Sequence, residues 1–72
     1  MDIEKIFVSS SNVEALGYDD NTQTLRVWFL NGSIYDYRGV GKMEFEGLLN
    51  APSIGSYLHK NIKGQYSYEK VG

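Results

Sequence analysis

Seventy-two residues make one small domain, because a chain of this length buries only about 60% of the surface its unfolded form exposes and has no material for a second core. Apolar residues are 42% of the chain, aromatics 14% and charged residues 22%, a globular mixture that excludes a disordered tail. The net charge of -2 sets the chain apart from strongly basic nucleic-acid binders, and the lack of cysteine removes disulfides, thiolate nucleophiles and cysteine metal sites.

The N-terminus, Met1-Asp2-Ile3-Glu4-Lys5, lacks the basic-then-apolar plan of a signal peptide. No apolar run approaches the roughly 20 residues that span a bilayer, so a cytoplasmic protein without a membrane partner is expected. Residues 13–18 read as a first strand and 19–23 as its polar turn. Residues 24–30, rich in branched and aromatic side chains, read as a second strand, and Asn31-Gly32 signals a hairpin into a third over 33–38. Val40, Met43, Phe45, Leu48 and Leu49 then recur at three- and four-residue spacing, predicting one apolar face of a helix over about 42–50. Ala51-Pro52 stops that helix, Ser53 caps a second one over 54–62, and Gly64 ends it. Tyr66, Tyr68 and Lys70 alternate with Ser67, Glu69 and Val71 as a short final strand. The expected fold is α+β: a three-stranded antiparallel meander, two short helices and a short last strand.

The hairpin's register follows from what each alternative buries. A two-residue Asn31-Gly32 turn pairs Val27 with Asp36 and puts a carboxylate on the apolar face. A three-residue loop, Leu30-Asn31-Gly32, with Gly32 left-handed at a bulge, pairs Phe29 with Ser33 instead. Val27 then faces Tyr35, Leu25 faces Tyr37, Arg26 meets Asp36 and Trp28 meets Ile34, so like finds like on both faces. The bulged hairpin is the expectation.

Charge is uneven along the chain. Residues 1–56 carry four cations against eight acids, whereas residues 57–72 carry Lys60, Lys63 and Lys70 against Glu69 alone. The single histidine, His59, sits among these lysines, with no histidine spacing that would hold a metal. Neither a phosphate-loop pattern nor a dinucleotide fingerprint is present, and no serine, histidine and acid set is defined by spacing. No catalysis and no cofactor are expected. Three surface groups remain as candidate sites. Tyr57, His59, Lys60, Lys63 and Tyr66, with Arg38, form an aromatic and basic set suited to phosphate and to stacked bases. Ser9-Ser10-Ser11-Asn12 offers hydroxyls and amides to an anion, although such residues more often satisfy their own backbone. Trp28, Leu30 and Ile34 form an apolar patch for a partner protein if no helix covers them.

The string Val8-Ser9-Ser10-Ser11-Asn12-Val13 with Gly17-Tyr18-Asp19, the segment Thr24-Leu25-Arg26-Val27-Trp28-Phe29, and Tyr35-Asp36-Tyr37 together resemble the KTSC domain family. Glu46-Gly47-Leu48-Leu49, Ala51-Pro52-Ser53, Gly55, Tyr57, Ile62, Gly64 and Tyr66 extend the likeness over about residues 8–71. The family takes its name from a C-terminal extension of some lysyl-tRNA synthetases and also occurs as small stand-alone proteins of bacteria and phages. The resemblance implies a non-enzymatic binding module, with RNA as the ligand suggested by the synthetase context. Lys60 and Lys63 stand where many relatives look arginine-rich, and lysine lacks arginine's planar fork. Two functions follow: a module for single-stranded RNA or a phosphate-bearing ligand at the basic end, or a protein-interaction or antagonist module using the Trp28 face.

Overall fold

The computed structural model describes residues 3–72; Met1 and Asp2, the start of the acidic N-terminus noted above, lie outside the described residues. Five antiparallel strands form one sheet in chain order: β1 (Ile6–Phe7), β2 (Val13–Asp19), β3 (Thr24–Phe29), β4 (Ile34–Arg38) and β5 (Ser67–Lys70). Between β4 and β5 the chain makes helix α1 (Lys42–Leu49), helix α2 (Ile54–Tyr57) and a π-helical turn over Leu58–Ile62. The α+β class and the short final strand stand, and the three-stranded meander is corrected to four strands before the helices, which β5 extends to a five-stranded sheet. β1 is missed because two residues between Lys5 and the serine run are too short to show alternation. β5 closes the same sheet by pairing with β4, a partnership that local pattern does not encode.

The hairpin has the bulged register. Val27 lies opposite Tyr35, Leu25 opposite Tyr37, Arg26 opposite Asp36 and Trp28 opposite Ile34. The Phe29 amide donates to the Ser33 carbonyl at 2.9 Å, and Gly32 adopts φ 95°, the left-handed conformation that glycine takes without a Cβ penalty. One sheet face therefore carries Leu25, Val27, Phe29, Tyr35 and Tyr37, and the helices close over part of it. Val13, Leu16, Leu25, Val27, Val40, Phe45, Leu48, Ile54, Leu58 and Ile62 make the dry centre. The Tyr18 ring stacks on Phe45 at 4.9 Å and its hydroxyl donates to the Val40 carbonyl at 2.6 Å, which ties β2 to the start of α1. Met43, expected on the buried face of α1, is 85% exposed; Val40, outside the helix, fills the place instead.

The end of α1 and the start of α2 are each capped by a side chain. The Asn50 side-chain amide donates to the Glu46 carbonyl at 2.8 Å, and the Ser53 hydroxyl accepts from the Ser56 amide at 3.3 Å, as an N-cap does. The expected single helix over 54–62 instead widens after Tyr57: the Lys63 amide donates to the Leu58 carbonyl, five residues back, at 2.8 Å. Leu58 and Ile62 both stay fully buried through this π-turn.

On the other sheet face Arg26 forks onto Asp36, Nε to Oδ1 at 2.7 Å and Nη2 to Oδ2 at 2.8 Å, with the Asp36 side chain only 3% exposed. The pairing raises the Arg26 pKa, chiefly through the hydrogen bond to Asp36. Nearby, Gly17 admits the N-terminal segment: a Cβ there would lie 2.4 Å from Ile3 Cγ2, 2.7 Å from the Glu4 carbonyl and 3.0 Å from the Trp28 ring. Gly17→Ala is expected to lower the melting temperature by several degrees, because backbone as well as side chain must move; an unchanged melting curve would show that residues 3–5 do not rest on the sheet in solution. Asp36→Asn is expected to cost about 3 kcal/mol in urea unfolding, the lower end for a broken buried pair since Arg26 keeps some access to water. A loss below about 1 kcal/mol, the range of exposed pairs, would contradict the buried geometry.

Candidate functional site

The C-terminal set divides into two groups. Tyr57 and Tyr66 converge on a single acceptor, Glu44 of α1: the Tyr57 hydroxyl donates to Oε2 and the Tyr66 hydroxyl to Oε1 at 3.1 Å. Both phenol pKa values are raised, Tyr57 first by its hydrogen bond to Glu44 and Tyr66 first by burial. These two tyrosines therefore tie α1, α2 and the approach to β5 together, and their hydroxyls face a carboxylate. A shallow hollow beside them is lined by Glu44, Lys60, Asn61, Gln65 and Tyr66. Glu44 is the residue that sequence alone does not single out, because its two partners lie 13 and 22 positions away.

His59, Lys60 and Lys63 are exposed along the π-turn and its exit. Arg38, the remaining member of the set, pairs with Glu69 across β4 and β5 at 2.8 Å. Lys5 pairs with Glu14 and Arg26 with Asp36. Among the described residues Lys42, Lys60, Lys63 and Lys70 are the cations outside an ion pair, so three of the four free positive charges fall within residues 60–70.

The other tyrosines gather elsewhere. Tyr35, Tyr37 and Tyr68 meet with ring centroids 5.8 to 6.4 Å apart, and Phe29 meets Tyr35 edge-on at 5.7 Å. Burial raises the Tyr37 phenol pKa, with Tyr35 and Tyr68 adding to the effect. Together with Lys63 these rings line an open groove of about 470 Å³. The Lys63 Nζ stands 5.1 Å from the centre of the Phe29 ring. Tyr35 and Tyr37, assigned from the sequence to the core face, do lie on it: Tyr37 is buried in the core, whereas Tyr35 is half-buried and Tyr68 is 63% exposed. The signal for the groove is in the alternation of Tyr66, Tyr68 and Lys70, which becomes legible only once β5 is placed against β4.

Within the serine run, Ser10 serves the local backbone. The Ser10 hydroxyl accepts from the Asn12 and Val13 amides, each at 3.4 Å, and donates to the Asn12 side chain at 3.1 Å. The Asn12 carbonyl takes the Leu30 amide at 3.0 Å, while Ser9 and Ser11 are exposed. On the face away from the helices, Phe7, Ala15, Trp28 and Ile34 follow one another across four strands. No helix covers Trp28 and Ile34, but both are half-buried: Lys5 Nζ stands 5.4 Å from the Trp28 ring, and Gly72 packs on Ile34. Leu30 is 58% exposed in the hairpin loop.

A sequence profile of the KTSC domain matches residues 9–66. A lysine–tRNA ligase from Nostoc sp. is 49% identical over 61 residues, covering 85% of this chain and 11% of the ligase; the chain thus spans about a tenth of the length of such relatives. An uncharacterized protein from Stutzerimonas stutzeri is 33% identical over 70 residues, covering 96% of this chain and 99% of that protein. The crystal structure of a KTSC domain protein from Yersinia pestis matches with a TM-score of 0.92 at 30% identity, covering 99% of this chain and all of that one. With a profile match over most of its length and an end-to-end structural match to another member, the chain belongs to the KTSC domain family.

Proposed function

We propose that this KTSC domain is a non-enzymatic, cytoplasmic binding module whose ligand is single-stranded RNA, held at the basic end of the chain. The observation that carries the reading is the distribution of unpaired charge. Acidic partners hold Lys5, Arg26 and Arg38, so the net charge of -2 conceals a local run of unpaired positive charge at Lys60, Lys63 and Lys70, with His59 beside them. Phosphates respond to the local field within about 10 Å in ordinary salt, more than to the sum over the molecule. The lysine–tRNA ligase that carries a similar segment supports RNA as the polyanion. Lysine supplies point charge without a fixed fork, which suits a flexible strand read through its backbone.

A second reading, a partner protein on the face opposite the helices, rests on Phe7 and Leu30, which are 68% and 58% exposed at the two ends of the Trp28 and Ile34 region.

Titration of isotope-labelled protein with a short single-stranded RNA at low and at physiological salt is expected to shift residues 57–70 and to weaken with salt. Lys60→Gln with Lys63→Gln should lower the slope of log affinity against log salt by about 1.4, or about 0.7 for each phosphate no longer neutralised. An unchanged slope would remove this site. For the second reading, sedimentation is expected to show concentration-dependent association that is insensitive to salt and abolished by Leu30→Ser; a monomer at all concentrations would exclude a second copy as the partner.

A further inference from the structure

We infer that the groove between β3, β4, β5 and the Lys63–Gly64 corner is a stacking subsite for one unpaired nucleobase, with the adjoining phosphate at Lys63. This subsite rests on the RNA-binding reading and adds to it a place where the base, and not the backbone alone, is held. Register brings the parts together. Tyr68 lies opposite Tyr37, and Lys70 lies opposite Tyr35, so both point to the face that carries Phe29, Tyr35 and Tyr37. The π-turn places Lys63 at the other wall, above Phe29, and such turns recur at functional positions in helices. The hairpin loop adds a polar end: Asn31 and Ser33 line the groove, the Asn31 side-chain oxygen accepting from the Ser33 amide at 2.9 Å and from its hydroxyl.

The chemistry selects the occupant. Three tyrosines of the six, Tyr18, Tyr57 and Tyr66, fix their hydroxyls on protein acceptors, and the other three line this groove with Phe29, Tyr35 half-buried, Tyr68 exposed and Tyr37 buried beneath them. Four aromatic rings around one space suit either a planar aromatic guest or a cation. Lys63 already occupies the Phe29 face as a cation, and Lys70, opposite Tyr35 in the sheet, adds a second positive charge on that face, so a quaternary ammonium or methylated lysine meets repulsion. A purely apolar guest would strip water from Lys63 without replacing it. A nucleotide answers both walls at once, since its base stacks and its phosphate meets the ammonium.

The test compares two probes on the intact domain: a uridine heptamer, and an abasic ribose-phosphate heptamer with the same number of phosphates. The uridine heptamer is expected to shift the side-chain resonances of Phe29, Tyr35 and Tyr68 and to bind at least about fivefold more tightly than the abasic strand. Tyr68→Ala should bring the uridine heptamer down to the abasic affinity, while Tyr68→Phe, which keeps the ring, should retain it. A native amide spectrum for each variant separates loss of the subsite from loss of the fold. Equal affinity for the two strands, with Tyr68→Ala unchanged, would overturn the stacking subsite and leave RNA binding in place. Absence of binding by either strand at low salt would overturn both.

Discussion

The pairing of Phe29 with Ser33 around the Leu30-Asn31-Gly32 loop governs most of the molecule. A side chain's face alternates with every residue, so this one bulge decides the destination of each residue in β3 and β4. In the observed register Asp36 leaves the apolar face and meets Arg26. The alternative two-residue turn would bury that carboxylate among leucine and valine, where an unpaired charge costs several kcal/mol. The same choice sends Tyr35 and Tyr37 to the helix side, and β5, pairing with β4, then adds Tyr68 beside them. The ion pair on one face and the aromatic groove on the other thus share a cause.

The groove remains open because the helical layer is small. An eight-residue α1 is about 12 Å long and α2 is a single turn, whereas five strands spaced about 4.8 Å apart span roughly 19 Å across the sheet. The aliphatic side chains of the helices close over Val13, Leu16, Leu25 and Val27, which are central and need full cover. What is left over is the β4 and β5 end. Tyrosine and lysine tolerate that half-exposed position: each has an apolar body to pack and a polar tip for water. An aromatic and basic surface is therefore the form that partial coverage takes here.

Much of this architecture is legible in the chain, and the limits are physical. The hairpin register can be read because only one pairing separates charge from apolar surface. The Ser53 cap and the Pro52 stop can be read because they act over three or four residues. β1 cannot be read, since Ile6–Phe7 is recruited by the edge of β2 and carries no pattern of its own. The π-turn is equally silent: Leu58 and Ile62 are four apart and share a side in an α-helix as well. Among site residues, Lys60 and Lys63 show themselves by local charge. Glu44 and the grouping of Phe29 with Tyr68 depend on the meeting of distant segments. Tyr57 and Tyr66, conspicuous as aromatics among lysines, have their hydroxyls committed to Glu44, which no local rule reveals.

Glu44 also shapes the field in which the lysines act. It lies in the hollow with Lys60, so a phosphate approaching that side meets a carboxylate as well as an ammonium. Its two oxygens accept from the Tyr57 and Tyr66 hydroxyls. Lys63, at the far exit of the π-turn, has aromatic rings for neighbours. Of the two lysines, it is the one whose charge is least opposed. On the proposed RNA reading this asymmetry would orient a strand, with phosphates toward Lys63 and Lys70 and a base toward Phe29, Tyr35 and Tyr68. On that reading the acidic remainder of the domain would confine a polyanion to the border where rings and unpaired lysines meet.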